Sequence, residues 1–209
     1  MTSSDLASLV AARLCHDLIS PMGAIGNGLE LLQLTDGAGS AELALVNESL
    51  ANALAKLRFY RVAFGPADPQ ARQSLDEAAQ ITDAMFHGRF SVAWDAHGGD
   101  LPRPIARLAY LAVLCLEKSL PMGGTVRIGL LEGGLSLAVE GRRTTPPTAH
   151  WAHVTDGAAL PDIKPDAVQF PLLAAALAES GHRLAARFAE TAAELSITAL
   201  RPALAAVRF

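Results

Sequence analysis

Leu14-Cys15-His16-Asp17-Leu18-Ile19-Ser20-Pro21 is the run from which the rest of this chain can be read. It lies inside residues 5–34, where no Gly/Pro cluster is strong enough to break a helix. Leu14, Leu18, Met22, Ile25, Leu29 and Leu32 follow one another at spacings of four, four, three, four and three. At about 100° per residue that is one apolar stripe, a seam that buries against a partner helix. His16 falls on the opposite side of the wheel, and Ser20, Gly23 and Asn27 continue its outward face. A histidine bordered by small and polar residues is open to a visitor.

A neutral imidazole nitrogen is a nucleophile at physiological pH. Asp17 follows His16 directly, and a carboxylate beside a reactive imidazole can hold the ring or receive a proton. Ser20 lies one turn on. Pro21 deletes a backbone donor and crowds the carbonyl of residue 17, so a bend is expected just after the reactive turn. Taken alone, an exposed helical histidine is a weak signal. The surrounding letters strengthen it.

The run LCHDLISPMGAIGNGLELL, residues 14–32, resembles the helix bearing the phosphorylated histidine in ChpT-type histidine phosphotransferases of alphaproteobacteria. It is similar, more distantly, to the H-box of histidine kinases, in which the histidine is followed by an acidic residue and, after a turn, by Thr or Asn and then Pro. Asp17, Ser20 and Pro21 stand in those places. The likeness continues through KLRFYRVAFG, residues 56–65, and more loosely through the remainder.

Composition bounds the alternatives. The chain has 209 residues, 51% of them apolar and 18% charged, enough for a substantial core and without the signature of general disorder. A formal net charge of −4 argues against nucleic acid or an anionic membrane as main partner. No apolar run reaches the ~18 residues of a membrane span, and no basic-then-apolar signal peptide opens the chain. The two cysteines, Cys15 and Cys115, fall on predicted helices and suggest no disulfide framework. A cytoplasmic protein is the expectation.

A first helix is predicted from Ser3 or Ser4, either of which can cap it, with Asp5 in its first turn. Residues 36–40 are a turn, and a second helix runs from Ser40 to about Phe64, where Gly65-Pro66 stops it. Two such helices make an antiparallel hairpin roughly 40 Å long. A lone hairpin half-covers its apolar seams, and pairing two hairpins into a four-helix bundle buries the rest. After the linker 65–69 the pattern becomes mixed. Ser74 and Glu77 have capping-box spacing for a helix reaching Phe86. A strand over 90–94, an apolar helix over 102–120, a hairpin of strands over 125–131 and 135–140, helices over 147–154 and 165–179, and strands over 182–188 and 194–200 follow.

That order resembles the ATP-binding domain of histidine kinases, but without its nucleotide motifs. Where the resemblance places two motif asparagines stand Leu111 and Cys115, and an aliphatic side chain cannot ligate Mg²⁺. Glu140-Gly141-Arg142-Arg143 stands where the adenine-contacting Asp-x-Gly-x-Gly belongs. The Gly-rich phosphate loop is replaced by Asp166-Ala167-Val168-Gln169-Phe170-Pro171-Leu172, which offers no backbone nest. Lys118 alone survives, and reads as a solvated charge.

Other residues read more plainly. His150 and His153 have helical spacing, but nothing nearby completes a metal set. Cys15 reads as a small packing residue, and His87, His97 and His182 as solvated. Arg58 and Arg61 sit near the level of His16, counted from the hairpin turn, where a guanidinium could pair with a phosphoryl group. Lys56 is a weaker candidate.

The expected fold class is α+β. Residues 1–65 form an antiparallel helical hairpin that builds a dimeric four-helix bundle, and 70–209 form a histidine-kinase ATPase-like α/β sandwich lacking nucleotide motifs. The resemblance implies a histidine phosphotransferase of a two-component phosphorelay. A phosphoryl group arrives from the receiver domain of a hybrid histidine kinase, rests on His16 and leaves for the aspartate of a response-regulator receiver, without ATP. His16 is the nucleophile, through Nε2; Asp17 orients the ring or takes its proton, and Ser20 bonds a phosphate oxygen or water. Arg13, Gly23, Asn27, Arg58 and Arg61 are the expected docking residues, with Gly26 and Gly28 adding lack of bulk. No cofactor is expected on this chain, Mg²⁺ being carried by the receiver. The alternatives are a non-catalytic dimeric receiver-binding scaffold and a divergent ATP-dependent kinase.

Overall fold

The computed structural model describes residues 2–34, 40–159 and 162–200. Helix α1 (Ser3–Leu34) and helix α2 (Ser40–Ala63) run antiparallel: Asp17 meets Lys56 and Tyr60 while Gly28 meets Val46. The predicted turn at 36–39 lies outside the described residues. The cap of α1 is neither Ser3 nor Ser4. Thr2 Oγ1 accepts the Asp5 N–H at 3.2 Å, and Asp5 Oδ2 accepts the Thr2 N–H at 2.8 Å. This reciprocal cap satisfies two donors that a helix start leaves open, and those bonds hold the Asp5 carboxyl below its ordinary value.

The packing of α1 on α2 is centred on Pro21 and Gly28, both buried. A Cβ on Gly28 would stand 2.5 Å from Val46 Cγ2, so glycine is what lets the helices close there. The predicted seam accordingly divides. Leu14, Leu18, Ile25 and Leu32 are half-buried at the hairpin's flank, whereas Met22 and Leu29 face outward with Ile19. On α2, Leu43, Leu50, Leu54 and Leu57 are exposed as well.

The remaining chain is a sandwich of helices on one mixed sheet. Strand β1 (Arg72–Ser74) leads into α3 (Leu75–Met85), whose cap Ser74 accepts the Glu77 N–H at 3.0 Å as the spacing predicted. Then come β2 (Phe90–Trp94), β3 (Asp100–Pro102), α4 (Arg103–Ser119), β4 (Gly124–Leu131), β5 (Gly134–Gly141) and α5 (Thr148–Asp156). A 3₁₀ turn (Pro165–Ala167), α6 (Gln169–Ser180), β6 (His182–Phe188) and β7 (Ala192–Ala199) complete it. The five-stranded sheet has order β2-β4-β5-β7-β6. Among the described residues only β2 and β4 pair parallel, and α4 lies in the crossover between them, as a parallel connection requires. β1 pairs with β3 over three residues in a separate ribbon that has no period for the sequence to display.

Gly123, at φ +81°, packs so tightly on the Arg89 carbonyl that a Cβ would lie 2.1 Å from its oxygen. The Gly124 N–H donates to that same oxygen at 2.8 Å, fixing the start of β4 beside β2. Leu111 and Cys115, on α4, are wholly buried with Leu108, Ile128, Leu137 and Ile197. The core does not stop at the linker. Phe59 of α2 is fully buried, its ring 4.7 Å from Tyr110 of α4 and 5.2 Å from Phe86, so the base of the hairpin is anchored in the sandwich.

Candidate functional site

His16 stands on α1 with 84% of its side chain exposed. Its Nδ1 lies 3.0 Å from Asp17 Oδ1. Asp17 itself is nearly covered: its Oδ2 accepts from Arg13 Nε at 2.6 Å and from the Tyr60 hydroxyl. Burial pushes the Asp17 carboxyl up, but the hydrogen bonds from His16 and Tyr60 and the charge of Arg13 outweigh it and hold the carboxyl below its ordinary value. Burial and that carboxylate raise the Tyr60 phenol. An ionised Asp17 can only accept, so the neutral His16 tautomer that fits this contact carries its proton on Nδ1 and leaves the Nε2 lone pair open.

Two features tie this turn to its surroundings. Pro21 has no N–H for the Asp17 carbonyl, and Lys56 Nζ, 3.0 Å away, supplies the donor instead. α1 runs through Pro21 without interruption. Arg13, expected at a docking surface, is engaged: besides Asp17 it reaches the Asp166 carbonyl at 3.1 Å through Nη1. Lys118, expected as a solvated charge, pairs with the Asp166 carboxylate and helps hold that carboxyl low. Glu117 of α4 lies half-buried beside this group. Burial raises its carboxyl against the pull of Arg13, Lys56 and Lys118, and the Asp17 charge adds to the rise.

Ser20, Gly23 and Asn27 are exposed along the outward face of α1, as predicted. Ser20 edges a cleft of about 320 Å³ shared with Ser49, Asn52, Lys56 and His87. A Cβ on Gly23 or Gly26 would meet nothing within 4 Å, whereas Gly28 faces α2 and offers no clearing to a visitor. Arg58 and Arg61 are not brought to His16. They line a different cleft with Glu77 and Gln80 of α3, because on α2 they are turned away from the face that carries Lys56 and Tyr60. Cys15 is exposed, not packed. His182 is not solvated: its ring nitrogens lie 2.8 Å from the Ser180 carbonyl and 3.0 Å from that of Gly133. His153 Nδ1 is 2.7 Å from the Ala158 carbonyl, and the His150 ring is 5.0 Å from that of Phe170. Among the described residues no group of three or more His, Cys, Asp or Glu could hold a metal, and no helix is long and apolar enough to cross a membrane.

Tyr60 is the site residue that periodicity hid. It occupies an apolar position of α2, and its signal was chemical: a phenol placed four residues after Lys56, on one face, needs a hydrogen-bond partner when buried.

Residues 75–192 match the family model described as histidine phosphotransferase C-terminal domain. Over 132 residues the chain is 35% identical to protein phosphotransferase ChpT of Brucella abortus (strain 2308), an alignment spanning 62% of this chain and 63% of that one. A solved bacterial phosphotransferase superposes with a TM-score of 0.79 at 28% identity, covering 94% of this chain and 97% of the other.

Proposed function

The chain belongs to the histidine phosphotransferase family, and from that premise we propose that it relays a phosphoryl group between receiver domains through His16. The observation that carries this reading is the pairing of an exposed His16 ring with an almost covered Asp17, which leaves Nε2 free. In the proposed sequence Nε2 attacks the phosphorus of an aspartyl phosphate on the receiver of a hybrid histidine kinase. The Nε2–P bond forms, the P–O bond breaks, and the departing carboxylate keeps the electron pair. The aspartate of a response-regulator receiver then attacks, and the pair returns to Nε2. Mg²⁺ resides on the receiver. This chain contributes positioning and exclusion of water, the main requirements of phosphoryl transfer.

The receiver approaches along Ser20, Gly23 and Asn27, where nothing bulky stands. A second copy of the chain covers Ile19, Met22, Leu29, Leu43, Leu50, Leu54 and Leu57, the apolar side chains the hairpin leaves open, and so completes a four-helix bundle. The division proposed is 1–65 for dimerisation and phosphotransfer and 70–209 for the ATPase-like sandwich, working without ATP in the cytoplasm. Leu111 and Cys115, wholly buried, support a sandwich that works without ATP. Calorimetry with ATP and Mg²⁺ is expected to give no isotherm tighter than ~1 mM.

The deciding experiment is incubation with a purified phosphorylated receiver. Acid-labile label is expected on the wild type and none on His16→Gln, with the fold retained because the side chain is exposed. Full relay by His16→Ala overturns the proposal.

A further inference from the structure

Asp17 divides its two oxygens. Oδ1 faces His16 Nδ1, and Oδ2 is held from the scaffold side by Arg13 of α1 and Tyr60 of α2. The Tyr60 ring that aims this hydroxyl is itself fixed, stacked on Phe64 with centroids 5.0 Å apart and 3% exposed overall. The position of one proton follows from this division, and it bears on the return half of the relay. When Nε2–P breaks with a proton on Nδ1, the ring departs as neutral imidazole. When that proton has passed to Asp17, the ring departs as imidazolate, a far poorer leaving group.

We propose that Tyr60 is a positioning residue: together with Arg13 it saturates Asp17 Oδ2, keeps the shared proton on His16 Nδ1, and so keeps the phosphohistidine ready to give up its phosphoryl group. The inference rests on the relay through His16 proposed above. Two donors on Oδ2 stabilise the carboxylate over the carboxylic acid, and a hydrogen bond to a charged group shifts such a balance by roughly tenfold or more. The other charged groups around Asp17 are Lys56 of α2, which donates to its carbonyl, and Glu117 of α4, with Lys118 committed to Asp166. Lys56 and Lys118 thus spend their ammonium groups elsewhere than on Oδ2. Arg13 and Tyr60 are the groups that donate to Oδ2.

The test uses the full-length chain and Tyr60→Phe, which removes the hydroxyl and keeps the ring. Uptake of label from a phosphorylated receiver should persist, onward transfer should slow by about tenfold, and the phosphohistidine should live longer. ¹H–¹⁵N spectra of the unphosphorylated proteins should show the Nδ1–H tautomer of His16 in the wild type and a mixture of Nδ1–H and Nε2–H tautomers in Tyr60→Phe, whose Asp17 is less firmly aimed at Nδ1. Arg13→Gln should move both readouts in the same direction, and decides the matter should Tyr60→Phe fail to fold. Onward transfer within twofold of wild type, with unchanged ring protonation in a folded variant, overturns the inference. A wild type that takes no label removes the relay reading instead, and the ring spectra still judge the clamp on their own.

Discussion

Lys56 donates the hydrogen bond that Pro21 cannot. Proline at 21 leaves the Asp17 carbonyl without its helical donor, and the Lys56 ammonium fills that place at 3.0 Å. Lys56→Met keeps the apolar stem and loses the donor, which should cost about 1–3 kcal/mol in the native background. In a Pro21→Ala background the helix provides its own N–H, so the same change should cost less. Urea denaturation of the four proteins should give a coupling of at least ~1 kcal/mol; additive effects would show that the ammonium does not serve the carbonyl.

Two glycines on α1 should respond oppositely to alanine. Gly23→Ala meets open space and gains helix propensity, so stability should rise by about 0.5–1 kcal/mol. Gly28→Ala gains the same term but collides with Val46 Cγ2, a short branched group that cannot swing away, and overpacking typically costs about 1–3 kcal/mol. The collision is expected to win. Val46→Ala should remove the clash, and thermal melts of the single and double variants check both signs.

Leu50 sits in the middle of the open apolar side of α2, 45% exposed. Sedimentation at micromolar concentration should show the wild type at about twice the chain mass of 21.9 kDa and Leu50→Glu at the single mass, since a charge in that interface has no partner. A wild type that sediments as one chain removes the bundle.

Asp17 and Glu117 should pull the pH dependence of stability in opposite directions. The Asp17 carboxyl is lower in the folded state than its unfolded value of about 3.9, so its contribution is present above that pH and lost as pH falls through the folded value. Glu117 is raised by burial, so the folded chain holds its proton longer than the unfolded one, and stability falls as pH rises through that raised value. Glu117→Gln should therefore be more stable than wild type at pH 7, with the difference shrinking toward pH 4. Denaturant midpoints at the two pH values measure it, and a difference that does not change with pH refutes the assignment.

The elements that local pattern could announce were legible in the chain: α1 from its spacing of threes and fours, α2 from the turn before it and the stop after it, α4 from its apolar run, and the β4–β5 hairpin from two strand runs a few residues apart. So was the exposure of His16, which falls opposite the predicted seam on the helical wheel. What depended on partners distant in sequence was not. Three-residue strands such as β1 are too short to carry a period, and Gly28 looks the same as Gly23 until Val46 arrives from the other helix. Arg58 and Arg61 were placed at the right height and on the wrong face, because height follows from counting and face follows from which side α3 covers. Tyr60 reads as one more apolar position until Asp17 meets its hydroxyl.

Leu111 and Cys115 also bear on what α4 can be made to carry. Both are sealed in the core. An amide placed at either position alone would be buried among apolar neighbours without a partner, at a cost of about 1–3 kcal/mol before any ligand could repay it. A polar ligand therefore cannot be acquired at either place by one substitution without loss of stability: the middle of α4 is closed to new chemistry unless its neighbours change with it.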